Sequence, residues 1–574
     1  MCAWIGVATE INPPKKKNHV KSILQSSKFV ACLLGLPFLA QAELTHYPIS
    51  GGESHEFFFP STGVAVGEQA LLLGIDNYLL PLRENVCLYL SKPTYRKNPV
   101  LAPSKENVNA PDQVASHFYG TVLKDNGKYR MWYYPCWSKP AGDPYRPKLA
   151  DLQQGPVCYA ESDDGITWTK PNLGQVEFKG SKNNNAILLS DERIETVSVI
   201  KEESDPDPSR RYKMVYNAHN GTTWVIRTAT STDGLNWRFA PKHAIDQFIE
   251  TASFYKFNGL YVANGQRILP SEGGHAGGRQ GNAIVSANFG TWLPGHTDAF
   301  LLPEPAKPED RGMLKPYDQV HLGVGAAPFG NVVVGLYGLW HNKSGDGDPA
   351  SEQRWKWFGW GKITCDLGLV ISNDGLHFRE PDKGRVYISH LESPATPLPG
   401  QDYPTILTQS GNGIFNDGDE TRIYYGRWLN GDYDNGYSGE VALATLPRDR
   451  WGGLGLYPEQ TPPTRPGVPS RYRNHGSIWS APVRLPASGC AVVLNADHTS
   501  RMTVEVADVN FQLLTGYSGD WSGKSSQKSG LDCAVSWPAG DLAALGGQTV
   551  RFKISLKAEN GVDPRIYAVY LRSK

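Results

Sequence analysis

Four segments of the chain carry one turn, S-x-D-G-x-x-W/F: SDDGITW (162–168), STDGLNW (231–237), SANFGTW (286–292) and SNDGLHF (372–378), the third a degenerate copy. Asp-Gly supplies a tight hairpin with φ > 0 at the glycine, and the aromatic that follows packs between neighbouring sheets. Each turn lies close to an aromatic or β-branched strand: GKYRMWYYP, RRYKMVYNA, GLYVANGQR and GNVVVGLYG. A fifth such strand, TRIYYGRWL (421–429), leads into VALATLPRDRW without an Asp-Gly turn. A unit of this kind cannot bury its own apolar face and needs its neighbours. Five strand pairs with recurring turn signals predict an all-β chain in which residues 43–456 form a five-bladed β-propeller.

The segment 457–474 contains EQTPPTRPGVPSRYRN and reads as a Pro-rich linker. Beyond it, CAVVLNA, RMTVEVADV, VRFKISLK and RIYAVYLRS alternate with the period of half-buried strands, which predicts a β-sandwich over 475–574. With Gly 60, Pro 42, Trp 16 and Tyr 27 in 574 residues, helical bundles and coiled coils are excluded.

At the other end, residues 1–42 read as a secretory signal. Lys15, Lys16, Lys17, Lys21 and Lys28 precede the apolar run FVACLLGLPFLA (29–40), and Ala40-Gln41-Ala42 offers a small-x-small cleavage site. Twelve apolar residues are too few to span a bilayer, so the mature chain is expected to be secreted or periplasmic, with no membrane span. Lys+Arg 57 against Asp+Glu 57 leaves no field that would capture nucleic acid. Six cysteines remain after cleavage: Cys87, Cys136, Cys158, Cys365, Cys490 and Cys533. No C-x-x-C pair is present, which disfavours zinc and redox dithiols, and Cys490 with Cys533 is the expected disulfide because both fall in the C-terminal module.

The turns on aromatic strand pairs, followed by a sandwich, resemble the five-bladed propeller glycosidases of glycoside hydrolase families 32, 43, 68, 117 and 130. The order LLLGIDNYLL, GTVLKDNGKYRMWYYP, CYAESDDGITWTKPNLG, DPDPSRRYKMVY and ATLPRDRW, with the terminal GDWSG and VSWPAGDLAALGGQTVRFKISLK, is similar to bacterial proteins described as family-32-like at the N-terminus. The resemblance implies a glycoside hydrolase acting on a poly- or oligosaccharide. It does not extend to W-M-N-D-P-N-G or Glu-Cys-Pro, which are absent, so a fructosidase is not supported.

Glycoside hydrolysis needs two carboxyl groups across the bond, and in a propeller the inner strand starts converge on one pocket. Glu250, nine residues before the hairpin Gly259, is similar to the E-x-P-x-x-x-K-x-N-G-x-Y pattern that carries the family 43 proton donor, although Thr251 and Ala252 replace Gly-Pro. The same offset lands on His321 in the fourth unit and on Phe118, beside His117, in the first. The second carboxylate stays open among Glu195, Asp318 and Asp112, and family 117 keeps His321 in view as an acid. His117, Gln266 and the loop SEGGHAGGRQG (271–281), with His275 and Arg279, are expected to contact substrate, Arg279 gripping a carboxylate or sulfate. Trp340, His341, Trp355, Trp357 and Trp360 offer sugar-stacking faces or interblade core. The turn 416–420 has oxygen ligands suited to structural calcium, though a plain hairpin explains it; no other cofactor is expected. Two alternatives stand beside hydrolysis: a propeller that only binds carbohydrate, and a sialidase-like enzyme, which needs an arginine triad and a tyrosine nucleophile.

Overall fold

Asn126-Gly127 and Asn258-Gly259 each join two antiparallel strands with both residues at positive φ, the turn whose twist matches the flanking strands. The computed structural model describes residues 44–48, 56–60, 64–139, 143–148, 151–189, 193–239, 245, 248–269, 278–302, 319–342, 363–401, 404–430, 436–458, 474–559 and 561–574, with the backbone alone at 44–48, 56–60, 278, 319, 340–342, 363 and 430. The expected leader 1–42, most of the 457–474 segment, Asp318, His275, Trp355, Trp357 and Trp360 lie outside the described residues. Among those described, structure is strand and turn, with only short 3-10 turns such as Pro208–Arg210 and Leu542–Leu545. No helix among them is long and apolar enough to cross a membrane.

Five groups of mutually antiparallel strands follow one another along the chain, the fourth and fifth joined into one eight-stranded sheet by a parallel pairing of Cys365 with Ile406. The first comprises Ala115–Asp125 and Lys128–Ser138 with two short partners, Leu152–Gln154 and Cys158–Ser162. The second runs Ile194–Lys201, Tyr212–His219, Trp224–Ser231 and Trp237–Phe239. The third runs Glu250–Phe257, Leu260–Leu269, Gly278–Ser286 and Thr297–Phe300. The fourth runs Gln319–Phe329, Val332–Asn342, Ile363–Ser372 and Val386–Ile388. The fifth runs Thr405–Asp417, Glu420–Asn430 and Tyr437–Pro447, and its fourth strand is Thr94–Tyr95, from upstream of the first group. The leading strand of each group packs on the leading strand of the next, and the fifth packs back on the first.

The turns close the contacts between groups. In each, the serine hydroxyl accepts from the amide three residues on, while the Asp or Asn oxygen accepts from the two amides beyond. The turn's carbonyls then accept from the preceding group. Tyr424 Oη donates to Gly165 O at 2.7 Å, Trp132 Nε1 to Gly234 O at 2.9 Å, Arg210 Nη2 to Asn288 O at 3.1 Å and Tyr255 Oη to Gly375 O at 2.8 Å.

Two further sheets share a separate apolar core that includes Leu72, Leu454, Ile478, Val492, Val504, Phe552, Ile554 and Val569. Their strands come from 475–574 and also from earlier chain. Gln69–Leu73 and Gly452–Leu456 pair with Arg565–Ser573, and Leu82–Glu84 pairs with His475–Trp479. The expected Cys490–Cys533 bridge is overturned, since all six described cysteines are free. Cys533 stands opposite Leu494, four residues along the strand from Cys490, so about 13 Å separates the two at ~3.3 Å per residue. A disulfide spans Cα atoms no more than about 7 Å apart.

Candidate active site

Each leading strand breaks register at a corresponding place. The breaks fall between His117 and Thr121, Ile194 and Thr196, Thr251 and Ser253, His321 and Val324, and Gln409 and Ile414. A bulge bends a strand and re-aims its side chains. Glu195, Glu250 and His321 sit at or beside these breaks, and all three are buried. Side-chain amides and hydroxyls tie neighbouring strands together there. Val199 N donates to Thr121 Oγ1 at 2.8 Å, Thr251 N to Asn217 Oδ1 at 2.8 Å and Ser253 Oγ to Val324 O at 2.9 Å.

Glu250 accepts a hydrogen bond from Gln266 Nε2, and Gln266 Oε1 accepts from Leu322 N–H at 2.5 Å. Gln266 pairs with Glu250 on one side and Gly281 on the other, while Ile268, two residues on, pairs with Arg279. Directly paired residues project to one face and every second residue returns to it, so Glu250, Gln266 and Arg279 share a face of the third sheet. That face meets the fourth sheet at His321. Glu195 accepts from Gln154 Nε2 at 3.4 Å.

Sequence reasoning missed Tyr119. The offset from the hairpin points to Phe118, but Phe118 is fully buried in apolar core with Tyr424, and the bulge turns Tyr119 inward instead. Tyr119 Oη lies 3.3 Å from His321 Nδ1. Burial pushes the Tyr119 hydroxyl well above its ordinary range, reinforced by Cys365, Glu250 and Glu195 and opposed by Arg279. The charges of the second, third and fourth groups thus act on this one phenol, and the fourth touches it through His321. His321 is pushed well below its usual value by burial and by the Arg279 charge, so its imidazole is neutral at neutral pH.

His117 takes another position, in an aromatic wall. Its Nε2 is 2.8 Å from Tyr437 Oη, its ring stacks on Tyr134 at 4.9 Å, and burial lowers it to about 3. Tyr134 stacks in turn on Tyr119 at 6.0 Å, which links the wall to the centre. The backbones of Trp340 and His341 pair with Cys365 and Thr364 on the fourth sheet.

Lys170 Nζ, Ser116 Oγ and Tyr133 Oη all donate to Asp112 Oδ2, while its Oδ1 is buried without a hydrogen-bond partner among the described residues. The 416–420 hairpin does not fit calcium. Lys124 and Tyr129 donate to Asp417, Arg422 lies 3.1 Å from it, and Asn416 is engaged with Asp449 and Thr421. No group of three or more metal-ligating His, Cys, Asp or Glu occurs among the described residues.

No family model matches the chain. Two curated proteins of Mycobacterium tuberculosis, from strains CDC 1551 / Oshkosh and H37Rv and each an uncharacterized protein, are 31% identical over 120 residues, which is 21% of this chain. The chain spans about a third of the length of these curated relatives, 33% of each. Similar solved structures include one from the GH130 family of mannoside phosphorylases, which contains glycoside hydrolases that target β-1,2-mannosidic linkages in Candida mannan. It is 16% identical, with 63% of this chain and 94% of that chain covered and a TM-score of 0.40. A glycosyl hydrolase from Bacteroides ovatus is also 16% identical, with 63% and 95% covered and a TM-score of 0.40. A β-1,2-mannobiose phosphorylase from Listeria innocua is 14% identical, with 63% and 97% covered and a TM-score of 0.36. These neighbours are glycoside hydrolases and phosphorylases.

Proposed function

We propose that the chain is an exported glycoside hydrolase, a five-bladed β-propeller joined to a β-sandwich, that cleaves a poly- or oligosaccharide with Glu195 and Glu250 as its carboxyl pair. The observation that carries this reading is the placement of two buried glutamates at or beside the register breaks of neighbouring leading strands, with Glu250 joined through Gln266 to the strand of His321 and His321 beside Tyr119. Two carboxyl groups facing one bond supply the proton donor and the base or nucleophile of glycoside hydrolysis. His321, neutral and bonded to Tyr119, suits a hydrogen-bonding role to a sugar hydroxyl better than proton donation. A sialidase-like centre would need two further arginines beside Arg279, and Arg267, adjacent to Gln266 on its strand, projects to the opposite face.

The test is a product screen of the purified chain on plant, algal and fungal glycans, with and without inorganic phosphate, beside Glu250→Gln. Hydrolysis predicts reducing sugar without phosphate and a loss of roughly 10²- to 10⁴-fold in Glu250→Gln, with circular dichroism unchanged. Sugar phosphate released only with phosphate present would make the enzyme a phosphorylase. Glycan binding without turnover would leave a binding propeller.

A further inference from the structure

The strand carrying His321 is bent where Leu322 and Gly323 both take left-handed conformations, at φ +56° and +76°. A leucine there is strained, because its Cβ crowds the neighbouring carbonyl oxygen. Such a conformation persists only when its surroundings over-determine it. Three buried amide side chains do so. Gln266 Oε1 accepts from Leu322 N–H, Asn264 Oδ1 accepts from Val324 N–H at 3.0 Å, and Gln409 Nε2 donates to His321 O at 2.5 Å and Gly323 O at 2.8 Å. The bend also presses on the third sheet. A Cβ on Gly323 would fall 2.0 Å from Gly265 O, and a Cβ on Gly265 would fall 2.0 Å from Glu250 O.

Of the three amides, Gln266 alone reaches a carboxylate of the centre. Its orientation follows from its partners: Leu322 N–H can only donate, so the amide oxygen faces it and the NH₂ faces Glu250. A fixed N–H aimed at a carboxyl group stabilises the ionised form.

We propose that Gln266 is a positioning residue that couples the bend at His321 to Glu250 and holds Glu250 as the ionised member of the pair, leaving proton donation to Glu195. The assignment rests on the glycosidase reading above. As the glycosidic C–O bond breaks, the Glu195 proton passes to the leaving oxygen, and an electron pair of Glu250 goes to the anomeric carbon or to a proton of the attacking water. This reverses the roles that the resemblance to family 43 implies. Among the described residues, Tyr119 of the first sheet feels the charges of Glu250, Glu195, Arg279 and Cys365, and His321 of the fourth feels that of Arg279.

Gln266→Glu and Gln266→Met test the coupling, with Gln409→Met as a control that loosens the same bend without touching Glu250. Gln266→Glu sets two carboxyl groups together, so the acid limb of kcat/KM is expected to move up by about one pH unit or more. Gln266→Met is expected to lower kcat at least tenfold with little change in KM, and Gln409→Met to lower kcat without moving the limb. Acid limbs that superimpose for wild type and Gln266→Glu would overturn the proposal. Infrared titration of the Glu250 carboxyl in the substrate-free protein, read as wild type minus Glu250→Gln in each background, decides the same point without turnover. A Glu250 band that titrates higher in Gln266→Glu supports the coupling, and an unmoved band refutes it. Inactivity on every glycan would defeat the glycosidase reading while leaving that infrared result to stand.

Discussion

Phe289 occupies the position that glycine holds in the other three turns, and it does so at φ +64°, close to the +74°, +75° and +79° of Gly165, Gly234 and Gly375. A left-handed phenylalanine costs about 1–2 kcal/mol, and burial of its ring returns a similar amount. The ring packs 5.5 Å from Phe254, 5.7 Å from Tyr261 and 6.1 Å from Trp292. Where glycine is kept, the surroundings differ in tolerance. A Cβ on Gly375 would stand 2.5 Å from the Phe257 ring, whereas one on Gly234 would meet Trp132 at 3.0 Å. Gly375→Ala is therefore expected to cost about 2–4 kcal/mol and Gly234→Ala about 1–2 kcal/mol, measured by urea unfolding. Equal losses would show that the conformation alone, not the crowding, sets the cost.

At the scale of the element, the turns are also an acid-sensitive feature. Backbone amides of Thr167 and Ile166 hold Asp164 at about 2. Burial raises Asp233 and Asp374, but donors from Asn236 and Leu235, and from His377 and Leu376, bring each down to about 2. Carboxyl groups lowered on folding contribute stability that is complete above their unfolded value near 3.8 and is lost as pH falls toward 2. Tm is expected to drop between pH 4 and pH 2, and Asp233→Ala or Asp374→Ala to flatten that slope while lowering Tm at neutral pH. These turns were legible in the sequence because Ser, Asp and Gly each leave a fixed mark on the chain. The bulges left none. A register break depends on which backbone groups pair, so counting back from the hairpin reached Glu250 and His321 but landed on Phe118, one residue past Tyr119. Glu195 was legible as an acid ahead of an aromatic strand, and its nearness to Tyr119 only from the fold.

For the whole molecule, the division at the Pro-rich segment does not separate two independent sets of strands. Leu71 and Leu72 lie opposite Tyr570 and Val569, and Leu454 opposite Ile566, so chain from both sides of that segment is laced into the same sheets. The alternating pattern announced strands after residue 475, yet nothing in LLLGIDNYLL told which sheet it would join. A single proteolytic cut within 459–473 is expected to leave both fragments co-eluting on gel filtration until denaturant is added. A chain ending at residue 458 is expected to aggregate, because Gln69–Leu73 and Gly452–Leu456 would present unpaired edges. A soluble, monomeric 1–458 fragment would contradict this.

The register breaks on the five leading strands differ in length, yet each has a polar or ionisable side chain at or beside it: tyrosine on the first strand, glutamate on the second and third, histidine on the fourth, glutamine on the fifth. Hydroxyls and amides bond neighbouring strands there, and Gln409 is both such a tie and the fifth strand's polar group. A substitution at Tyr119 or Glu195 can thus exchange one polar group while the ties made by Thr121, Asn217, Ser253 and Gln409 remain, whereas one at Gln409 removes a tie as well.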